Sequence, residues 1–161
     1  MCVRYSTEAV FRSEAETSAF GRCLAPLLMP GDTLLLKGPI GAGKTHLARS
    51  IIQSRLAMKG IHEDVPSPTF TLVQTYSDGE TEIWHADLYR LTDINELAEL
   101  GLDEALDDAI VLIEWPERLG AATPDGALMI EMLEERGKRR ARFSSYSEEW
   151  ERITPCLRAL P

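Results

Sequence analysis

The amino-acid sequence predicts an α/β fold with a mixed central sheet and flanking helices, on three observations. Two short runs, TLLL from Thr33 and AIVLI from Ala109, are apolar throughout, as in strands covered on both faces. Two pairs of strand-like segments surround tight-turn residues, which is typical of antiparallel hairpins. A glycine-rich segment joins the first apolar run to a helical repeat of apolar residues. Strands and helices that alternate in this way indicate the α/β class.

The first half of the chain contains two predicted helices around the first apolar strand. A helix is expected to begin at Ser13, because Ser13 and Glu16 have the spacing of a capping box. Its apolar face consists of Phe20, Leu24, Leu27 and Leu28. The strand TLLL follows a Pro-Gly-Asp turn, and a second helix follows the glycine-rich segment. Apolar residues repeat at helical spacing in this second helix: Leu47, Ala48, Ile51, Ile52 and Leu56.

For the second half of the chain, the sequence predicts two hairpins with a helix and the second apolar strand between them. FTLVQTYS and TEIWHAD flank an Asp-Gly turn at residues 78–79. Thr92 is expected to cap a helix that ends at Gly101. After the AIVLI strand, ALMIEML and RARFSSY form the second hairpin around Gly137. A short polar helix is expected from about Ser147.

Composition and charge restrict the size of the fold and the classes of partner. The chain has 161 residues, of which 44% are hydrophobic and 27% charged, as expected for one domain with its own core. The net charge is -9, so tight unaided binding to DNA or RNA is not expected. A basic stretch at residues 136–142 departs from this background. It is interpreted as a solvated hairpin turn, with a docking patch or a phosphate contact as the alternatives.

No membrane segment, secretion signal or disulfide framework is predicted. The longest apolar runs fall far short of the 18 residues of a membrane span, and MCVRYSTEAVF lacks the apolar core of a signal peptide. A cytoplasmic protein without membrane contact is therefore expected. Cys2, Cys23 and Cys156 are odd in number and form no C-x-x-C pair, so we expect reduced thiols. The histidines have no metal-ligand spacing, so no structural metal is expected.

The segment GPIGAGKT, from Gly38 to Thr45, matches the P-loop pattern G-x-x-x-x-G-K-S/T. It follows a predicted strand and opens a predicted helix, as this phosphate-binding loop requires. Backbone N–H groups and the helix N-terminus would surround phosphate oxygens, and a Cβ at the glycines would block that approach. Lys44 would reach the β- and γ-phosphates and Thr45 Oγ1 would bind Mg²⁺. The sequence thus predicts a single P-loop NTPase-like domain over residues 1–161.

A P-loop needs a second acid for the metal or for the attacking water, and two strand ends supply candidates. Glu114 ends the fully apolar strand, which is expected beside the P-loop strand, so Glu114 is the predicted metal acid by direct or water-mediated contact. Asp87 ends a more peripheral strand and is expected to approach from the side. For both residues the alternative is a surface acid. Trp115 is expected near the pocket, His85 to hydrogen-bond or pack, and His46 to face solvent.

Together with further motifs, this pattern resembles TsaE, the small bacterial P-loop ATPase needed for threonylcarbamoylation of the tRNA adenosine beside the anticodon. The motifs follow in order: GPIGAGKTHLA, VPSPTFTLVQTY, WHADLYRL, INELAELGLDEAL and VLIEWPE. They lie between Gly31 and Glu117, which is over half of the chain. The combination of S-P-T-F, H-x-D-L-Y-R and I-E-W after a P-loop is far more specific than the P-loop alone.

The resemblance implies ATP or ADP with Mg²⁺ as ligands and a role for each candidate residue. Lys44 and Thr45 hold phosphates and Mg²⁺, Asp87 and Glu114 support metal binding and hydrolysis, and segment 67–69 acts as a switch loop near the γ-phosphate. The candidate nucleotide-binding residues are Gly38, Gly41, Ala42, Gly43, Lys44, Thr45, His46, Thr69 and Trp115. TsaE proteins act with TsaD, which performs the transfer, and with TsaB. The expected activity is therefore a slow, partner-stimulated ATPase that serves tRNA only indirectly.

Two features depart from the family, and two other functions remain open. The family loop reads G-D-L-G-A-G-K-T-T, whereas this chain has Pro39, Ile40 and His46 at the differing positions. These differences are expected to affect the rate of hydrolysis more than nucleotide binding.

A small-molecule or nucleotide kinase is the first alternative, although segment 62–91 has one arginine where such enzymes carry an arginine-rich lid. That residue, Arg90, is the nearest candidate for an arginine finger, with packing as its alternative. A non-enzymatic nucleotide-sensing adaptor is the second alternative.

Overall fold

One mixed sheet of seven strands runs through residues 2–161, the part of the chain that the computed structural model describes. The strands are β1 (Tyr5–Phe11), β2 (Thr33–Lys37), β3 (Val73–Ser77), β4 (Glu82–Asp87), β5 (Ile110–Glu114), β6 (Leu128–Glu135) and β7 (Lys138–Ser145). The helices are α1 (Glu14–Leu24), α2 (Lys44–Ala57), α3 (Asn95–Glu99), α4 (Leu102–Asp108) and α5 (Thr154–Arg158). Three 3₁₀ segments lie at Ala25–Leu27, Pro116–Ala122 and Glu148–Ile153.

The two apolar runs form the centre of this sheet, whose order is β1-β7-β6-β2-β5-β4-β3. β2 pairs in parallel with β5 on one side and with β6 on the other, and β4 pairs in parallel with β5. The pairs β3–β4, β6–β7 and β1–β7 are antiparallel. The predicted α/β fold with a mixed sheet is confirmed, including the place of the second apolar strand beside the first.

Alternate residues of the central strands face two separate hydrophobic cores. Leu34 and Leu36 of β2 belong to the core beneath α1 and α2. Leu35 belongs to a second core, which contains Leu97 of α3 and Leu102 of α4. Because helices cover both faces of the sheet here, the middle of each central strand is apolar on both sides.

The first predicted helix begins where its capping signal lies and packs closely on α2. Ser13 Oγ accepts a hydrogen bond from the Glu16 N–H at 3.2 Å, and Glu16 Oε2 accepts one from the Arg12 N–H at 2.6 Å. A Cβ at Gly21 would lie 2.8 Å from the Cβ of Ser50, so glycine allows α1 to approach α2 this closely. This packing brings α1 beside the helix that follows the glycine-rich segment.

The edge strand β1 is absent from the sequence predictions. Its burial alternates strictly, but the inward positions between Tyr5 and Phe11 are Thr7 and Ala9 and the outward ones include Val10, so hydrophobic and polar residues do not alternate in the sequence. β1 takes its place by pairing with β7 along its whole length, from Tyr5 opposite Ser145 to Phe11 opposite Arg139. A pairing of segments this far apart in sequence is not visible in a local pattern.

The helix expected from Thr92 to Gly101 is shorter in the structure and is followed by a second helix. Thr92 Oγ1 donates to Glu96 Oε1 at 2.7 Å and does not cap α3. Gly101 has a φ of +84° and is the N-cap of α4, so the INELAELGLDEAL segment forms two short helices. The strand expected from Phe70 begins only at Val73. Across residues 2–161, no helix combines the length and apolar character that a membrane crossing requires.

The prediction of three reduced thiols is wrong for two of the cysteines. Cys23 of α1 and Cys156 of α5 form a disulfide with their Cα atoms 5.6 Å apart, within the usual range of native disulfides. Cys2 is free and exposed. The sequence separation of 133 hides this pair, which meets because the C-terminal helix packs back on α1.

Candidate functional site

Residues 38–43 form a glycine loop between β2 and α2. Gly38, Gly41 and Gly43 have φ values of +150°, +83° and +100°, a conformation that residues with a Cβ rarely adopt. A Cβ at Gly38 would also lie 2.3 Å from the carbonyl oxygen of Met132 in β6. Glycine is therefore required at this position both for the turn and for the close approach of the neighbouring strand.

The amide N–H groups at the start of α2 have no acceptor within residues 2–161. They belong to Gly41, Gly43, Lys44, Thr45 and His46. Such free donors, together with the positive end of the dipole of a 14-residue helix, favour a negatively charged ligand. All five residues line one cavity. The arrangement fits a phosphate group.

Lys44 is almost completely buried, with 5% of its surface exposed. Its Nζ donates to the carbonyl oxygens of Gly38 at 2.5 Å and of Pro39 at 2.8 Å, and it lies 4.3 Å from the ring centroid of Trp115. Burial lowers the pKa of the Lys44 ammonium, although the nearby carboxylate of Glu114 opposes this shift. The cation is thus held by the glycine loop itself and by an aromatic face.

Glu114 is buried at the end of β5 and joins two other elements. Its Oε1 accepts a hydrogen bond from Thr45 Oγ1 of α2 at 2.7 Å, and its Oε2 lies 2.7 Å from His85 Nε2 of β4. Parallel pairing of β4 with β5 sets Asp87 opposite Glu114. The second acid therefore meets the hydroxyl that follows the lysine, as the strand order predicts.

Asp87 holds the loop that leads into β3. Its Oδ2 accepts a hydrogen bond from Thr69 Oγ1 at 3.0 Å, and its Oδ1 accepts one from the Tyr89 N–H at 3.0 Å. The hydroxyl groups of Thr69 and Ser67 lie 2.7 Å apart. Phe70, the next residue, is 81% exposed. One carboxylate thus ties an otherwise exposed loop to the edge of the site.

Trp115 occupies a left-handed backbone conformation directly after Glu114, with φ 58° and ψ 52°. A bulky residue in this region is unusual and indicates local strain. The conformation sets the indole between the Lys44 ammonium and the ring of Tyr89, whose centroid is 4.8 Å away. Trp115 therefore forms one wall of the site.

A cavity of about 490 Å³ unites these groups. The candidate residues that line it are Gly41, Gly43, Lys44, Thr45, His46, Thr69, Asp87, Glu114 and Trp115. Gly38 and Ala42 do not line it, because Gly38 lies against Met132 and Ala42 is buried beneath the loop. The lining residues that the sequence analysis did not place in the site are Glu14, Ile40, Tyr89 and Arg139.

His46 contradicts the expectation that its side chain faces solvent. It is half-buried, and its Nε2 lies 2.9 Å from Ser18 Oγ and 3.2 Å from the carbonyl oxygen of Glu14. Both partners belong to α1, which crosses the first turn of α2. The contact between the two helices thus turns the imidazole away from water.

The basic stretch at residues 136–142 consists of the β6–β7 turn at residues 136–137 and the start of β7, and one of its arginines reaches the cavity. Arg139 Nε lies 3.6 Å from the point that a Cβ on Gly43 would occupy, and the side chain lines the cavity. Arg140 and Arg142 instead pair with Glu8 of β1. The position of Arg139 is compatible with the phosphate contact, which stays a prediction.

The residues at the start of α2 fit a magnesium ion that shares its shell with phosphate. Thr45 Oγ1 and Glu114 Oε1 are two neighbouring oxygen atoms at the cavity, and Mg²⁺ commonly takes one or two protein oxygens with phosphate and water. Within residues 2–161, no group of three or more His, Cys, Asp and Glu side chains could hold a metal ion. Binding of Mg²⁺ here would therefore depend on a bound phosphate.

Comparison with known proteins identifies the family of the chain. Residues 11–142 match the family model described as threonylcarbamoyl adenosine biosynthesis protein TsaE. The TsaE protein of Rickettsia bellii is 42% identical over 112 residues, 70% of this chain and 76% of the relative. That of Bacillus subtilis is 37% identical over 116 residues, 71% and 70% of the two chains. That of Rickettsia felis is 44% identical over 108 residues, 67% of this chain but 61% of the relative.

A solved structure supports the same relationship over nearly the whole chain. The crystal structure of YdiB from Bacillus subtilis superposes with a TM-score of 0.77 and 26% identity, and it covers 98% of this chain and 97% of that chain. The sequence match includes the glycine loop, Asp87, Glu114 and Trp115, since all of them lie between residues 11 and 142. The chain belongs to the TsaE family.

Proposed function

We propose that this chain is a Mg²⁺-dependent ATPase that acts as an accessory subunit in tRNA threonylcarbamoyladenosine modification, in the cytoplasm and together with TsaD and TsaB. One observation carries the ATP-binding part of the proposal. Five free backbone N–H groups at the start of α2 line the same cavity as the Lys44 ammonium and the Glu114 carboxylate. This combination suits the phosphate chain of a nucleotide with its metal ion.

Binding of the nucleotide exchanges the partners of Lys44. The ammonium now satisfies its donors with the carbonyl oxygens of Gly38 and Pro39. The β- and γ-phosphate oxygens are stronger acceptors because they are charged, and they would draw the ammonium toward the cavity. Pro39 has no N–H group and contributes only a carbonyl, so the phosphate contacts of the loop fall to Gly41, Gly43 and the first turn of α2.

Thr45 and Glu114 are the residues that would hold Mg²⁺. When bound, the ion neutralises charge that develops on the phosphate oxygens. The chain itself keeps the two oxygen atoms in place, since Thr45 donates to Glu114 across the gap between α2 and β5. The buried position of Glu114, 2% exposed, keeps this carboxylate from turning to bulk water.

Hydrolysis requires a water molecule in line with the γ-phosphate. The water oxygen forms a bond to the γ-phosphorus while the bond to the β–γ bridging oxygen breaks, which gives ADP and phosphate. Asp87 lines the cavity and accepts a hydrogen bond from Thr69, which supports our assignment of this residue to orient the water. The loop at residues 67–69 reaches the cavity through Thr69, so we assign to it the response to loss of the γ-phosphate.

Turnover of the isolated chain should be slow, because no arginine is held over the cavity in a fixed position. Arg90 lines the cavity, but its guanidinium lies 4.4 Å from the exposed ring of Phe70. Arg139 lines the cavity beside Gly43. A partner that covers the exposed loop around Phe70 would supply or fix the missing charge, as in other phosphoryl-transfer proteins.

The role in tRNA modification rests on family membership, since the matched relatives carry that activity in their names. The chain has a net charge of -9, which disfavours direct contact with a polyanion such as tRNA. We therefore assign tRNA contact to the partner proteins. TsaD would perform the transfer, and this chain would couple ATP hydrolysis to repeated turnover.

The test measures phosphate release and complex formation in the same samples. The purified chain is mixed with TsaD and TsaB in ATP, ADP or no nucleotide, followed by pull-down and phosphate assay, with the Lys44→Ala chain as control for contaminating ATPases. We expect slow release alone, at least about tenfold faster release with the partners, and nucleotide-dependent capture. Tight nucleotide binding without hydrolysis would indicate an adaptor. Transfer of phosphate to nucleosides or small alcohols would indicate a kinase.

A further inference from the structure

His85 is a completely buried histidine with a single polar contact. Its exposure is 0%, its Nε2 lies 2.7 Å from Glu114 Oε2, and its Nδ1 has no hydrogen-bond partner within residues 2–161. An ionised carboxylate only accepts hydrogen bonds, so Nε2 is the protonated nitrogen in this contact. The one hydrogen bond of the imidazole is therefore the one to Glu114.

The surroundings of His85 give it no structural reason to be polar. Its strand neighbour Ile83 and its register partner Leu112 on β5 are apolar and fully buried. A buried ring nitrogen without a partner is unfavourable, so an apolar side chain would fill this place in the core with less loss. The contact with Glu114 is the feature that distinguishes the histidine from such a residue.

We propose that His85 is a positioning residue that fixes the carboxylate plane of Glu114, so that Oε1 faces Thr45 Oγ1 as one half of the Mg²⁺ site. The inference rests on the proposed function and extends it to a residue that touches neither nucleotide nor metal. Glu114 has one donor on each oxygen, Thr45 on Oε1 and His85 on Oε2. Without the second donor, the carboxylate is free to rotate about its last bond and to leave the ligand geometry.

The test compares His85→Gln with His85→Asn, whose side-chain amides differ in length. The Gln amide nitrogen can occupy the position of His85 Nε2, whereas the Asn amide nitrogen extends only to the position of Nδ1. Affinity for a nonhydrolysable ATP analogue is measured by calorimetry in Mg²⁺ and in EDTA. The readout is the ratio of the affinity in Mg²⁺ to the affinity in EDTA. We expect this ratio to stay within about twofold of the wild-type value in His85→Gln. In His85→Asn it should fall by about tenfold or more, the usual effect of losing a hydrogen bond to a charged group. Affinity in EDTA should stay within about twofold for both.

A control and the melting temperature distinguish positioning from a general loss of packing. Tyr76→Phe removes another buried polar atom without a partner and should leave both affinities unchanged. If His85→Asn binds as well in Mg²⁺ as His85→Gln, or if both lose affinity equally in Mg²⁺ and EDTA with a lower Tm, the inference is wrong while the proposed function stands. If His85→Asn does not fold, His85→Gln decides alone, because loss of the enhancement in a folded protein contradicts the role. If the wild-type chain binds no nucleotide, both the positioning role of His85 and the proposed function are wrong.

Discussion

The hydroxyl of Thr45 donates a 2.7 Å hydrogen bond to Oε1 of Glu114, which ties the first turn of α2 to the end of β5. The two residues are 69 positions apart in sequence. They meet because β5 pairs in parallel with β2, so that the carboxyl ends of both strands open on the same edge of the sheet. The fold itself thus brings together the oxygen pair proposed for Mg²⁺.

Removal of the Glu114 carboxylate should affect hydrolysis more than ADP binding. Glu114→Ala leaves the N–H groups and Lys44 in place, so the phosphates of ADP keep their main contacts, whereas the metal site loses one of its two protein oxygens. We expect Mg²⁺-dependent turnover to fall by about 100-fold or more and ADP affinity by less than about tenfold. Phosphate release and calorimetry measure the two effects.

Glu80→Ala provides the matched control for this change. Glu80 is an exposed acid in the β3–β4 turn, paired with Lys59, so its loss alters net charge equally without touching the site. Its turnover should equal that of the wild type. Unchanged turnover in Glu114→Ala would remove Glu114 from the mechanism.

The nucleotide-free protein should become more stable when Lys44 loses its charge. Burial lowers the pKa of Lys44 in the folded chain below its value in the unfolded chain. At a pH between these two pKa values the unfolded chain binds more protons than the folded chain, so the free energy of unfolding rises with pH. At neutral pH the buried charge therefore destabilises the fold. We expect Lys44→Met to raise the Tm by about 2–4 °C while nucleotide binding is lost.

The pH dependence of this difference provides the check. The Tm gap between Lys44→Met and the wild type should be largest near pH 7 and should narrow as the pH rises through the lowered pKa of Lys44. Lys59→Met, a change at an exposed lysine, should give no such gap. A Lys44→Met chain that melts below the wild type, or that binds ATP normally by calorimetry, contradicts the assignment.

The parts of the fold that the sequence predicts are those with a local signal. TLLL and AIVLI each read as a buried strand because no polar residue interrupts them, and their neighbouring placement follows from that. The same argument gives Glu114, since it ends the central strand. The loop around Gly38 can be predicted from its glycines, which the structure requires for steric reasons. A Cβ at Gly38 would lie 2.3 Å from the carbonyl oxygen of Met132.

The parts that the sequence does not reveal depend on contacts between distant segments. Arg139 reaches the cavity because β7 lies two strands from β2 through the β6–β7 pairing. His46 turns from solvent because α1 crosses it, through Ser18. Cys23 and Cys156 lie on helices that are 133 residues apart in sequence and meet only through the tertiary fold. Neither residue spacing nor composition carries this information.

Nucleotide binding should change the fluorescence of Trp115. In the free protein the Lys44 ammonium lies 4.3 Å from this indole, and phosphates that draw Lys44 away would alter the field on the ring. Trp84 and Trp150 are first replaced by Phe so that Trp115 is the only indole. We expect a saturable change of about 20% or more with ATP and Mg²⁺, absent after Lys44→Ala. A flat titration at saturating ATP would place Trp115 away from the bound nucleotide.

Reduction of the Cys23–Cys156 disulfide should destabilise the protein without removing the nucleotide site. The bond closes a loop with a sequence separation of 133, and the chain-entropy model gives such a loop a stabilisation of up to about 5 kcal/mol, with 2–4 kcal/mol typical. For a domain of this size, we expect the Tm to fall by about 5–15 °C in reductant or in Cys23→Ser. α5 carries no residue of the cavity, so ATP affinity at 25 °C should change by less than about threefold, a difference under 1 kcal/mol.

Cys2→Ser is the control for this change and should have the same Tm as the wild type. Equal melting of the oxidised and reduced chains would show that the two thiols are not joined in solution.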